Sequence, residues 1–259
     1  MSIKVLYEDN HIIAVEKPAG VLTQPSLHQA SAGAAQGEDY SLMDMVKKYL
    51  KEKYKKPGEV FLGLVHRLDK PVQGIVLFGK TSKGASRLSE QFRNHTIQKT
   101  YYAIVLGKLK MQKGEVKEKI NKISFFAEGF TKKSDEELLA EIKKATKTRT
   151  AELSWEVVRE KPFDTAQGKR VYTLLKILPK TGRFHQIRVQ LSSMGNPILG
   201  DTKYGFKTFG SKPGLNLNWD EKKSIGLIAS EIEFKTATEN KIINLKIDLP
   251  EEWNKFLSK

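Results

Sequence analysis

The apolar residues of this chain fall in short runs, and the length of those runs limits the fold more than any other feature. Ile3–Tyr7, His11–Glu16, Val60–Val65, Gly74–Phe78, Gln98–Leu106, Ala151–Arg159, Val171–Leu178, Ser224–Phe234 and Lys241–Ile247 are five to eleven residues long, which is strand length. Helical spacing is rarer. It covers Ser41 to about Lys55, with Leu42, Met45, Val46, Tyr49 and Leu50 on one face; Ser82 to about Asn94, with Ala85, Leu88 and Phe92 inward; and Ser134–Ala145, His185–Met194 and Pro250–Leu257. Strands outnumber helices and do not alternate with them. The expected fold is α+β, a mixed and mainly antiparallel sheet with flanking helices. No repeat and no flexible linker divides residues 1–259, so a single catalytic domain is expected. The small, polar stretch 26–40 reads as a mobile loop, 107–150 as basic and irregular apart from the 134–145 helix, 160–170 as a polar connection, and 201–223 as a long loop.

Charge narrows the function. The chain has 45 basic and 30 acidic residues, a net charge of +15. Residues 1–60 are neutral. Residues 61–130 hold 13 basic and 5 acidic side chains, and 131–200 hold 14 and 8, so the excess sits in the middle. A polyanion, most simply a nucleic acid, is the partner this implies; a lysine-rich solvated surface reads the same way. Cysteine is absent, which excludes disulfides, zinc ribbons, iron–sulfur clusters and thiol catalysis. There is no apolar run of membrane-spanning length and no signal-peptide pattern, so a cytoplasmic protein off the membrane is expected.

Gly74-Ile-Val-Leu-Phe-Gly79-Lys80-Thr81 matches the phosphate-loop pattern letter by letter. Its four central residues are strand formers with no reason to bend around a polyphosphate, and the segment before it, Lys70–Gln73, is polar rather than strand-like. Asp248 is the nearest candidate for a metal-binding partner aspartate, but Asn244 and Lys246 interrupt the apolar run before it. Nucleotide binding is therefore discounted.

Two other segments carry more chemistry. Asp69 follows an apolar strand within His66-Arg67-Leu68-Asp69-Lys70-Pro71. Its cationic neighbours favour the ionised form, suited to a nucleophile or base; a turn-capping aspartate fits the same residues. In Thr181-Gly182-Arg183-Phe184-His185-Gln186-Ile187-Arg188, His185 and Arg188 share a helix face. Cations in a first helical turn oppose the helix dipole unless an anion meets them. Tyr101 and Tyr102 lie on one strand and face opposite sides, so one packs inward and the other can offer its ring to a base.

Taken together, these segments resemble the RluA-type RNA pseudouridine synthases. The resemblance is colinear through Ile12–Val21, with its Lys17-Pro18-Ala19-Gly20 turn; His66-Arg67-Leu68-Asp69 with Gly74; Lys99-x-Tyr101-x-Ala103; Gly182-Arg183-x-His185-Gln186-Ile187-Arg188-Val189; and Gly195-x-Pro197-Ile198-x-Gly200-Asp201. It departs at Gln73, where the family often has Ser or Thr, and at Leu227-Ile228-Ala229, where it usually shows Leu-His-Ala and, later, a His-Pro that is absent after Phe234. The resemblance implies a mainly antiparallel sheet crossed by a basic cleft. It implies isomerisation of uridine to pseudouridine in structured RNA, transfer or ribosomal, without cofactor or metal and with no obligate protein partner. Asp69 would be the catalytic carboxylate, Arg188 its partner, and Tyr101 the ring stacked on the target base. Arg67, Lys99, Arg183 and His185 would touch RNA. Only about ten residues precede the first matched motif, so the small RNA-binding domain of many relatives is not expected. A non-catalytic RNA-binding protein on the same scaffold shares the charge and the aromatics; Asp69 with Arg188 is what it would not need.

Overall fold

A computed structural model describes residues 3–25, 40–120, 149–165, 168–205 and 224–258. In chain order the elements are β1 (Lys4–Glu8), β2 (Ile12–Lys17), α1 (Leu42–Lys53), β3 (Gly63–Leu64), β4 (Gln73–Gly79), α2 (Ser82–Arg93), β5 (Gln98–Leu106), β6 (Lys113–Ile120), β7 (Arg149–Thr165), β8 (Gly168–Pro179), α3 (Gln186–Ser193), β9 (Leu227–Lys235), β10 (Ile242–Lys246), a 3-10 turn at Glu251–Trp253 and α4 (Asn254–Leu257). The fold is α+β with a mixed, mostly antiparallel sheet, as the run lengths predict. The 26–40 loop (apart from Tyr40), the 134–145 helix and most of the 201–223 loop lie outside the described residues. The chain gathers into two compact units: the described parts of Met1–Tyr102 and Asn218–Asn254, and those of Ala103–Leu217 with Lys255–Lys259.

In the first unit the strands run in the order β1-β2-β4-β9-β5, with β3 beside β4 and β10 beside β9. β2 pairs antiparallel with β4 from Ile12–Gly79 to Lys17–Gly74. Ile12, Ile13, Ala14, Val15, Val76, Leu77 and Phe78 have no solvent exposure, which is why both strands read as continuous apolar runs rather than alternating ones. β4 meets β9 in parallel through Gln73–Ile228 and Gly74–Ala229. Gly74 has φ +134°, and a β-carbon there would enter the Ala229 backbone, so only glycine fits this crossing. The two departures from the family pattern, Gln73 and Ile228, are thus register partners.

The helices of this unit follow from their caps. Ser41 accepts from Asp44 N–H while Asp44 accepts from Ser41 N–H, a reciprocal capping box. Leu42, Val46 and Leu50 form the buried face of α1. Thr81 caps α2 by accepting from Gly84 N–H at 3.1 Å, and α2 buries Leu88. The phosphate-loop look-alike is strand β4 followed by that cap. Lys80, its lysine, donates to Glu8 at 2.6 Å and to the Asp9 carbonyl at 2.7 Å.

In the second unit β8, β7 and β6 are neighbours in that order. Two readings are corrected here. Lys113–Ile120 is a strand, paired residue by residue with Arg149–Glu156, where the sequence reads as basic and irregular. Of its four inward residues Gly114 and Glu118 are not apolar, which hides the period-two pattern. The stretch 160–170 is also strand for most of its length, because β7 and β8 stay in register out to Thr165 and Gly168. Phe163 stacks on Tyr172 across this extension at 3.9 Å and 9°, and Phe256 of α4 meets Tyr172 edge-on at 5.2 Å.

Candidate active site

Asp69 stands in the loop between β3 and β4, and its backbone is held from three sides. Val72 N–H donates to the Asp69 carbonyl at 3.0 Å, closing the turn into β4. Just before Asp69, the Thr23 hydroxyl donates to the Leu68 carbonyl at 2.8 Å and accepts from Leu68 N–H at 3.1 Å. Just after it, the Lys70 carbonyl accepts from Gly20 N–H at 2.9 Å and from Lys17 Nζ at 3.1 Å. Lys17 also donates to the carbonyls of Val21 and Pro18 at 2.7 and 3.0 Å, and it is wholly buried. Thus the Lys-Pro-Ala-Gly turn is strapped to the aspartate loop by one ammonium. Burial pushes the Lys17 pKa down to about 7, and the Asp69 charge acts against that push.

Tyr101, on β5, belongs to the same place. Burial raises its phenol well above the ordinary range, and the Asp69 charge raises it further. The ring therefore stays protonated, and Asp69 is near enough to act on both Tyr101 and Lys17. Tyr102 faces the other way, as strand alternation requires, and its electrostatic influence falls on Lys246. Lys99 is half-buried, its pKa lowered by burial. Its charge, after burial itself, helps push His66 down to about 3. His66 is accordingly neutral: its Nε2 accepts from Leu77 N–H at 2.8 Å and its ring lies against Phe92 at 4.6 Å. Arg67 is exposed beside them. The first unit thus brings together Asp69 and Tyr101, with Lys99 close to His66.

Arg188, Arg183 and His185 stand in the second unit. α3 begins at Gln186 rather than His185, because His185 takes a left-handed conformation, φ 51°, and makes no side-chain cap. Gln186 takes over the anchoring. Its Oε1 accepts from the Thr181 hydroxyl at 2.7 Å and Arg183 N–H at 3.0 Å, and its Nε2 donates to the Glu152 carbonyl at 3.0 Å. Arg183 Nε donates to the Thr150 carbonyl at 3.0 Å.

Within this unit the carboxylate that grips Arg188 is Asp201. Nε and Nη2 donate to its two oxygens at 2.7 and 2.9 Å, a bidentate pair with both side chains buried. The Tyr204 ring lies 5.0 Å from the Arg188 guanidinium carbon, and the Tyr204 hydroxyl is 2.7 Å from His185 Nδ1. Phe184 stacks on the other side of His185 at 3.7 Å. His185 lies outside α3 and so does not share its helix face with Arg188, but both side chains meet Tyr204.

Asp201, Tyr204, Thr23 and Lys17 are the site-forming residues that residue-level reasoning did not single out. Lys17 and Asp201 sit inside the quoted motifs, whereas Thr23 and Tyr204 carry no local signal. Among the described residues there is no group of three or more His, Asp or Glu side chains placed to hold a metal, and no helix long and apolar enough to cross a membrane.

The fold agrees with what comparison with known proteins finds. The profile of the RNA pseudouridylate synthase family matches residues 11–193. The chain is 33% identical to tRNA pseudouridine synthase C of Haemophilus ducreyi over 209 residues, covering 79% of this chain and 75% of that one. It is 31% identical to ribosomal large subunit pseudouridine synthase C of Buchnera aphidicola over 202 residues, 78% of this chain and 54% of the relative. The solved structure of human RNA Pseudouridylate Synthase Domain Containing 4 shares the fold, with a TM-score of 0.67 at 21% identity over 96% of this chain and 90% of that one. The protein is therefore an RNA-modifying isomerase. It belongs to the RNA pseudouridylate synthase family and converts uridine to pseudouridine.

Proposed function

We propose that Asp69 is the catalytic carboxylate of this pseudouridine synthase, and that its substrate is a structured transfer or ribosomal RNA met in the cytoplasm. The observation that carries this reading is the loop itself. Asp69 sits in the loop between the short strand β3 and β4, in a backbone pinned by Thr23, Gly20 and Lys17, with its charge felt by the Tyr101 phenol. Such pinning of the backbone fixes where a reacting group stands.

The reaction is an isomerisation. The bond between N1 of the uracil and C1′ of the ribose breaks, the base turns, and a bond from C5 to C1′ forms. The C5 proton leaves and N1 gains one, so atoms balance without oxidant or nucleotide. Asp69, as a carboxylate, serves as nucleophile at the sugar or as base toward it. The target base must leave its stack, at a cost of a few kcal/mol, and stacking on Tyr101 offsets part of that cost. Arg188, locked by Asp201 and Tyr204, is a fixed cation for the reaction, and Arg67, Lys99, Arg183 and His185 are RNA contacts. The names of the Haemophilus and Buchnera relatives support the two RNA classes.

The test is Asp69→Asn. Pseudouridine formation, read by chemical derivatisation of uridine-labelled RNA, should fall at least 10⁴-fold, on the order of 5 kcal/mol, while RNA affinity stays within a few-fold. Near-normal turnover by this variant would remove Asp69 from the chemistry.

A further inference from the structure

The basic middle of the chain leaves one cluster of charge unexplained. Residues 1–60 are neutral overall, yet six lysines crowd between 47 and 56, with Glu52 the one acid among them. The structure puts them on the second half of α1 and the turn after it. Lys48 and Lys51 lie opposite the buried Leu42–Val46–Leu50 face, and Lys48, Lys51, Lys55 and Lys56 are all exposed. Glu8 cannot neutralise them, because it already accepts from Lys53 and Lys80 at 2.7 and 2.6 Å. Among the described residues no carboxylate pairs with Lys48, Lys51, Lys55 or Lys56. At the centre stands Tyr54, 47% exposed. The ammonium groups of Lys80, Lys53 and Lys56 lie 4.8, 5.5 and 6.0 Å from its ring centroid. One carboxylate, Glu8, serves Lys53 and Lys80, and the exposed lysines beyond it leave this end of the helix with a surplus of positive charge that attracts an anion.

We propose that this end of α1 is a second RNA-contact surface, gripping phosphates of the substrate away from the reacting uridine, with the Tyr54 ring open to a base. Its position follows from the fold. The N-terminus of α1 is tied to the loop that braces Asp69: Leu42 and Met43 N–H donate to the carbonyls of Leu22 and Thr23 at 2.8 and 3.1 Å, and Thr23 holds Leu68. Twelve helical residues span about 18 Å, so the lysines stand about one helix length from the aspartate loop. RNA is the occupant that fits, because the enzyme already acts on one and the surface offers both charge and an aromatic face. The proposal stands on the RNA substrate and not on the role of Asp69.

The experiment measures binding, so its failure and the failure of the Asp69 assignment are separate results. Full-length protein is titrated with labelled bulk transfer RNA at several salt concentrations. Three forms are compared: parent; a triple variant Lys48→Glu, Lys51→Glu, Lys56→Glu; and a control reversing three exposed lysines of the same unit, Lys83→Glu, Lys235→Glu, Lys241→Glu. A second variant with Gln in place of Glu at 48, 51 and 56 guards against misfolding. The α1 variant should bind at least tenfold more weakly than the control. Its slope of log affinity on log salt should be shallower by about 2 to 3, near 0.9 per lost phosphate contact. Equal losses in both triple variants would make the effect one of net charge and overturn the proposal, as would unchanged binding. Unchanged RNA binding with loss of retention on phosphatidylserine vesicles would assign the surface to lipid and overturn it too.

Discussion

Thr23 carries more of the site than its size suggests. One hydroxyl satisfies both backbone groups of Leu68, next to Asp69, at a position with 3% exposure. Thr23→Val keeps the shape and orphans a buried N–H and a buried carbonyl, so urea unfolding should show a loss of about 2 to 3 kcal/mol. Turnover should fall with little change in RNA affinity, because the loop moves and the binding surface does not. The turn that holds Asp69 is legible in the sequence because an apolar run precedes it and Pro71 follows it, although only Gly63–Leu64 of that run is strand. Thr23 is not legible, because nothing local to it signals a partner 45 positions away. The same holds for Arg188: the chain shows a guanidinium in need of an anion, but which carboxylate grips it from within its unit, Asp201, is decided by the path of residues 195–204.

At the scale of elements, what was readable depended on what each segment buries. β2 and β4 were plain because both of their faces are covered, and α1 because its cap and its apolar stripe agree. β6 is hidden because its outward residues are Lys113, Glu115, Lys117 and Lys119, and two of its four inward ones, Gly114 and Glu118, are not apolar. The ends of β7 and β8 are hidden because Glu160, Lys161, Pro162 and Asp164 break up the apolar pattern there, and the pairing of Phe163 with Tyr172 is a cross-strand contact that no local pattern signals. The look-alike phosphate loop shows the converse: matching letters, contradicted by the strand propensity of the four residues between its glycines, and in fact a strand. The capping box at α1 offers a direct check. Ser41 is fully buried and bonds Asp44 in both directions. Ser41→Ala should cost about 1 kcal/mol in a thermal melt, and it should loosen the tie between α1 and residues 22–23.

At the scale of the molecule, acid stability depends on Glu8. Burial alone would raise its pKa. Bonds from Lys53, Lys80 and Tyr54, and the charge of Lys80, instead hold it at about 2, against 4.5 for an ordinary glutamate. A depressed carboxylate adds stability that is whole above pH 4.5 and is lost as pH falls toward 2. Urea midpoints should therefore drop between pH 4.5 and 2 by an amount on the order of 2 kcal/mol that Glu8→Gln does not show. The crossing of β4 and β9 reaches further than equilibrium stability. Gly74 and Ala229 touch across 155 positions of chain, and the loop that holds Asp69 opens directly into β4. A ribosome making this protein has finished that loop long before it has made the strand that flanks it. The chain is therefore closed around the Asp69 loop late, after most of its length has emerged, and long-range closure of this kind sets a slow folding step.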